Sequence, residues 1–139
     1  MSELVTLAKI VPFSKDMPLN IPQEFIDAIE WKEPEKYGLL VATGNTQLVR
    51  VIPIKTDYVL KITAQLDEIT PEMIQNIGSL FRQFSITSLY STGLCIQKEA
   101  CFYELYADPE TLTGDLEQLR VQLMELEAIN DVSFEKISL

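Results

Sequence analysis

The spacing of apolar residues changes from the period of a strand to that of a helix along residues 57–139. Apolar and mostly polar residues alternate from Tyr58 to Leu66, as they do in a strand with one buried face. Thr70 and Pro71 then provide a helix N-cap and a first helical position. Apolar residues follow at helical spacing, at Met73, Ile77, Leu80, Phe81 and Phe84. The pattern therefore predicts a half-buried strand followed by a helix.

The same change of period occurs a second time towards the C-terminus. Residues 86–96 and 100–107 are rich in β-branched and aromatic residues, and the polar turn between them predicts a hairpin. Helix-start signals at 108–110 and 113–115 precede a stripe of leucines, at Leu116, Leu119, Leu123 and Leu126, and residues 132–137 read as a final strand. The order β-α-β-β-α-β predicts an α+β fold, a ferredoxin-like sandwich with both helices on one face of a four-stranded antiparallel sheet.

Residues 1–56 are predicted to form a separate, small β-rich module. Its segments are, in order, a strand at 4–11, a proline-punctuated extended piece at 17–22, one or two helical turns at 23–31, and strands at 39–43 and 47–54. The dipeptide Gly44-Asn45 predicts the turn between the last two strands. The sequence thus predicts two domains, residues 1–56 and residues 57–139.

The charge is distributed unevenly between these two parts. The chain carries a net charge of −10, from 11 basic and 21 acidic side chains. Residues 57–139 hold five of the basic and fourteen of the acidic groups, a net charge of −9, so the first part is nearly neutral. A nucleic-acid binder needs a basic face against phosphate. Any DNA contact is therefore expected in the first part.

The chain contains no histidine. This excludes Ser-His-Asp and Cys-His nucleophile activation, histidine acid–base catalysis and metal sites built on imidazole. The five glycines are scattered and form no phosphate-binding loop. We therefore expect a protein that is not an enzyme, with no catalytic residue, no cofactor and no metal site.

The sequence also lacks signals for membrane insertion or secretion. The longest uninterrupted apolar runs have four or five residues, which is too short to cross a bilayer. Residues 1–9 have no basic segment followed by an apolar one, so no secretory signal is expected. These observations predict a cytoplasmic protein with no membrane contact.

The C-terminal part resembles a family of regulatory domains in its run from a strand into an acidic helix start at residues 104–110. The resemblance is to ACT-type domains and to their relatives at the end of methionine-transporter ATPases, the NIL domains. It implies a dimer that binds a small effector, often an amino acid, at a subunit interface near the loop after the first strand. That loop consists here of Asp67, Glu68, Ile69, Thr70 and Pro71, without the Arg and the Gly of the family's Asp-Arg-Pro-Gly start.

The residue types of this loop suggest how an effector would be held. The N–H groups at the start of the following helix are expected to favour an anionic group such as a carboxylate. Asp67 and Glu68 are expected to accept an ammonium group, so the loop would suit an amino acid. Two alternatives are that Asp67, Glu68 and Glu72 hold a divalent cation, or that they only interact favourably with the helix dipole.

The first part is similar to a family of DNA-binding modules along the run Leu19 to Ile29, an extended piece with Ile-Pro followed by a short helix. The run resembles the core of the swapped-hairpin modules of the AbrB and SpoVT group. This resemblance implies a swapped-hairpin-like module, and with it a homodimer or a higher homo-oligomer in which two chains interleave. Operator-binding members carry basic residues on the first strand and the loop after it. The matching residues are Lys9 and Lys15, and Arg50 is a further DNA-binding candidate.

Two other groups of residues have competing interpretations. Cys95 and Cys101 flank the hairpin turn symmetrically and are expected to face each other. Three interpretations of the pair are open: a redox pair, half of a metal site, or two buried reduced thiols. The last is favoured in a cytosolic chain. Aromatic residues on the same hairpin either stack nucleobases or, as favoured in such acidic surroundings, pack against a second sheet; they are Tyr90, Phe102 and Tyr106.

Together these observations predict a non-enzymatic, homodimeric, ligand-sensing regulator. Its first part would serve as the dimer core and as a weak operator reader, and its second part would sense a small molecule. The alternative is a regulatory or scaffold protein that binds a protein partner without contacting DNA.

Overall fold

The structure, a computed structural model, describes residues 6–12, 37–43, 48–98 and 100–139. This part of the chain is α+β, with two antiparallel sheets and two helices. It divides into two compact units, Val59–Lys136 and Thr6–Tyr58 with Ile137–Leu139. The predicted extended piece at 17–22, the helical turns at 23–31, the turn at 44–45 and Lys15 lie outside the described residues.

The smaller unit contains a three-stranded sheet in the order β1-β2-β3. Its strands are β1 (Thr6–Pro12), β2 (Tyr37–Thr43) and β3 (Leu48–Ile54). All pairs are antiparallel, with Ile10 opposite Leu39 and Leu39 opposite Ile52. Alternate residues on one face are buried, as the period of a strand requires. The three strands predicted for this part are confirmed, with ends that differ by one or two residues.

The larger unit contains a four-stranded sheet in the order β5-β6-β4-β7. Its strands are β4 (Tyr58–Leu66), β5 (Thr87–Gln97), β6 (Ala100–Asp108) and β7 (Ile129–Ser138). Helix α1 (Pro71–Gln83) follows β4, and helix α2 (Leu116–Met124) follows β6. Strand β6 is antiparallel to both β4 and β5. The element order predicted from the sequence is confirmed for this unit.

Both helices begin at the predicted capping residues. The Oγ1 atom of Thr70 accepts a hydrogen bond from the N–H of Met73 at 3.1 Å. At the start of α2, Oδ1 of Asp115 accepts from the N–H of Glu117 at 2.9 Å. Each cap satisfies one of the N–H groups that the first helical turn leaves without an intrahelical partner.

The other predicted helix start, at 108–110, is wrong. The Oδ1 atom of Asp108 accepts from the N–H of Glu110 at 2.9 Å, which closes a turn instead of a helix. The chain then reaches α2 through Gly114, whose φ of +87° lies in the left-handed region that favours glycine. A Cβ at this position would also come within 3.2 Å of the Phe84 ring. Helix α2 therefore starts several residues later.

The apolar faces of the helices pack on one face of the larger sheet. The leucines Leu119 and Leu123 of α2 are fully buried, as the predicted stripe requires. They share one cluster with residues of α1 and of the strands, among them Ile62, Leu66, Ile77, Phe81, Leu105 and Val132. Residues that are four apart in the helices lie on the same face, which explains why the stripe becomes core. Within the described residues, no helix is long and apolar enough to cross a membrane.

Candidate functional site

The loop between β4 and α1 borders two open cavities of about 450 Å³ each. One, which we call the acidic cavity, is lined by Asp67, Glu68, Thr70, Glu72, Met73, Asn76, Glu127 and Ala128. The other, the disulfide cavity, is lined by Asp67, Glu68, Cys95, Gln97, Lys98 and Cys101. Asp67 and Glu68 line both cavities. Three of the five predicted effector residues, Asp67, Glu68 and Thr70, therefore border a cavity.

Asp67 is held by residues that are distant in the sequence. Its N–H donates to the carbonyl of Ala128 at 3.1 Å, and its Oδ1 accepts from Nδ2 of Asn130 at 2.7 Å. Ala128 has a φ of 73°, a left-handed conformation that alanine seldom adopts. Ala128, between α2 and β7, thus fixes the backbone of Asp67, and Asn130 of β7 holds its carboxylate.

Ile69 and Pro71, the other two predicted effector residues, line neither cavity. Ile69 packs against the apolar cluster, and its Cδ1 lies only 2.9 Å from where a Cβ on Gly93 would stand. Gly93 of β5 therefore leaves the space that Ile69 fills. Pro71 occupies the first turn of α1. The structure places these two residues where they position the loop.

The start of α1 offers fewer donors than the sequence suggested. Pro71 has no N–H, and the N–H of Met73 already donates to Thr70. The acidic cavity is instead lined by four acidic residues, Asp67, Glu68, Glu72 and Glu127. Such a cavity attracts a cation and repels a carboxylate. The expectation that the helix start binds the carboxylate of an amino acid is therefore not supported by this geometry.

Cys95 and Cys101 are joined in a disulfide bond. They face each other directly across β5 and β6, as predicted, with their Cα atoms 3.9 Å apart. The favoured interpretation, two reduced thiols, is wrong for this structure because the sulfur atoms are bonded to each other. The same bond leaves no thiolate for half of a metal site. Among the described residues, no group of three or more acidic or cysteine side chains is arranged to hold a metal ion.

The DNA-binding candidates are not brought together within the described residues. Lys9 on β1 pairs with Leu40, and Arg50 on β3 pairs with Val41. Consecutive residues of β2 point to opposite faces of the sheet, and paired residues share a face. Lys9 and Arg50 therefore lie on opposite faces, although both are exposed.

The face of the larger sheet that lies away from the helices carries a buried polar group. The Nζ atom of Lys61 lies 3.1 Å from Oε2 of Glu104, and the side chains are only 4% and 3% exposed. Lys61 Nζ also stands 5.6 Å from the ring centre of Tyr106, which stacks on Tyr90 at 6.4 Å. The prediction of a strand with one buried face is therefore wrong for β4, which buries Val59 and Lys61 as well.

The burial of Tyr106 decides whether this residue is available to stack a nucleobase. Tyr106 has no exposed surface, so its ring is not available to stack a nucleobase. Its contacts with Lys61 and Tyr90 make it part of the interior instead.

Comparison with known proteins adds no family to these observations. No protein-family model matches the chain. No curated protein matches it either. The resemblances to ACT-type domains and to swapped-hairpin modules stay predictions that rest on the residues quoted for them.

The sequence reasoning missed Asn130, Ala128, Glu127 and Asn76. Glu127, Ala128 and Asn130 reach the loop only when β7 lies beside β4, so no local pattern marks them, whereas Asn76 lies in α1, a few residues after the loop.

Proposed function

We propose that the protein is a homodimeric, non-enzymatic regulator that senses a small molecule at the loop between β4 and α1. The observation that carries this proposal is the convergence of two cavities on Asp67 and Glu68. A chain without histidine also has few ways to assemble a nucleophile and its base, which favours binding over catalysis.

The strand arrangement supports a ferredoxin-like fold for the sensing unit. The order β5-β6-β4-β7 places the first and third strands of the unit in the centre, with a helix after each of them. This is the arrangement expected of a split βαβ unit. Such a unit with a ligand at the loop after its first strand is the ACT-like organisation that the sequence suggested. Fold likeness alone does not assign a ligand, so the chemistry of the loop has to do so.

The charges around the loop favour an amino acid as the ligand. The carboxylates of Asp67 and Glu68 are suited to an ammonium group, and that of Asp67 is already oriented by Asn130. Lys98, a residue with an ammonium group, lines the disulfide cavity together with Asp67 and Glu68. A zwitterion with its ammonium group at Asp67 and Glu68 and its carboxylate towards Lys98 would match both signs of charge.

A protein partner is favoured over DNA as the target of the regulator. The basic side chains Lys9 and Arg50 lie on opposite faces of their sheet, so they do not form one surface that contacts the phosphates of a nucleic acid. The large negative charge of residues 57–139 repels phosphate as well. This is the regulatory or scaffold alternative of the sequence analysis, with the ligand site retained.

Titration with the twenty amino acids tests the ligand site. We expect at least one of them to shift the amide resonances of residues 66–73, with a dissociation constant of about 0.1–1 mM. The variant Glu68→Gln should raise that constant about tenfold, because a charge-assisted hydrogen bond is lost. Glu117→Gln, on the exposed side of α2, is the matched control and should leave it unchanged. An unchanged spectrum at 66–73 with every amino acid would end the proposal.

Light scattering tests the dimer. Leu48 and Val49 on β3 are 45% and 59% exposed, and β3 is the last strand in the order of its sheet. An apolar edge of this kind favours association with a second copy. We expect a mass twice that of the 15.8 kDa chain at micromolar concentration, and a shift towards the monomer in Val49→Glu. A folded wild-type monomer under these conditions would refute the dimer.

A further inference from the structure

The disulfide between Cys95 and Cys101 lies beside the proposed ligand loop. It joins β5 to β6 near the turn of their hairpin, and both cysteines line a cavity with Asp67 and Glu68. The cavity is open to solvent and has a volume of about 450 Å³, which admits a small thiol.

The two cysteine residues differ in exposure. Cys95 is exposed, whereas Cys101 is only 2% exposed. An attacking thiolate must approach the sulfur that it will bond to, so exchange is expected to begin at Cys95. Lys98 lines the same cavity, and a neighbouring ammonium group stabilises thiolates.

We propose that Cys95–Cys101 is a thiol–disulfide exchange site whose redox state is transmitted to Asp67. In the first step a small thiolate attacks Sγ of Cys95. The disulfide bond breaks, a mixed disulfide forms at Cys95, and the electron pair leaves on Sγ of Cys101, which takes a proton from solvent. A second small thiolate then attacks the outer sulfur of the mixed disulfide. This releases a small-molecule disulfide and leaves Cys95 as a thiolate, which is protonated.

The overall reaction is balanced and reversible. Two small thiols are oxidised to one small disulfide, and the protein gains two electrons and two protons. A small disulfide drives the reverse reaction and closes the bond. The cysteines are directly opposed on paired strands, so the hairpin keeps their sulfur atoms within reach of each other after reduction.

The contact between Cys101 and Asp67 transmits the change. The Sγ atom of Cys101 lies 3.8 Å from the carbonyl oxygen of Asp67. In the disulfide this sulfur carries no proton, whereas after reduction the thiol can donate to that carbonyl. Asp67 is also bonded to Ala128 and Asn130, so a change at its carbonyl reaches the segment between α2 and β7.

Reduction of the wild-type protein without any ligand tests this proposal. The oxidised protein is treated with dithiothreitol under native conditions and quenched with acid, and its free thiols are then counted by alkylation in denaturant and mass spectrometry. We expect the count to rise from zero to two per chain while the far-ultraviolet circular dichroism is retained. We also expect the amide resonances of Asp67 and Glu68 to shift between the two states, and that of Val121 on the outer side of α2 to stay in place. No amino acid is present, so the result does not depend on the ligand proposal.

Single-cysteine variants test where exchange begins. In Cys101→Ser, the remaining Cys95 should form a mixed disulfide with a small aromatic disulfide about tenfold faster than Cys101 does in Cys95→Ser. Equal rates would overturn the assignment of Cys95 as the attacked sulfur. A bond that opens only in denaturant, or loop amides that are identical in the oxidised and reduced wild type, would overturn the proposal itself.

Discussion

Replacing Lys61 with Met is expected to lower the free energy of unfolding by about 3–5 kcal/mol, because the change leaves the buried carboxylate of Glu104 without the ammonium group beside it. The two side chains lie on adjacent strands, since Lys61 pairs with Tyr106 and Glu104 is two residues from Tyr106 on the same face. Both side chains are almost fully buried, so water does not solvate the carboxylate of Glu104 that remains. Urea unfolding followed by circular dichroism measures the change.

The double variant Lys61→Met with Glu104→Leu tests whether the single variant is destabilised by the uncompensated carboxylate of Glu104 or by a general disruption of the fold. Removing both charges takes away the uncompensated group, so we expect the double variant to be at least as stable as the wild type. The exposed pair of Glu117 and Arg120, 3.6 Å apart, provides the control. Glu117→Gln should change stability by less than about 1 kcal/mol. A small effect of Lys61→Met in the single variant would mean that the pair is not buried as described.

Replacing Leu119 with Ala is expected to cost about 2–5 kcal/mol, from the lost burial of its methyl groups and from the cavity that is left. Leu119 has no exposed surface and lies in the cluster between α2 and the larger sheet. Denaturant unfolding at constant protein concentration measures the loss, since association in the proposed dimer would also contribute to stability.

The control for this substitution lies on the same helix. Val121 is 54% exposed, so Val121→Ala should change the free energy of unfolding by no more than about 0.5 kcal/mol. Similar costs for the two variants would show that α2 does not pack through its leucine stripe.

Much of the larger unit follows from patterns that are local in the chain. The N-caps Thr70 and Asp115 act on N–H groups two or three residues away, and the leucines of α2 repeat at the helical period. The positions of Cys95 and Cys101 opposite each other follow from their equal distances to the hairpin turn. Such features depend on residues that are close in the chain, so they can be predicted from the sequence.

The candidate site depends on contacts between segments that are far apart in the chain. Asp67 meets Asn130 only because β4 and β7 lie side by side, and Glu127 lines the acidic cavity for the same reason. The burial of Lys61 was missed because an alternating strand pattern reports one apolar face and not whether the other is covered. The apolar periods and caps of the sequence thus determine which elements form. The partners of Asp67 and the burial of Lys61 are decided instead by how those elements pack, because both require surfaces that form only after distant segments come together.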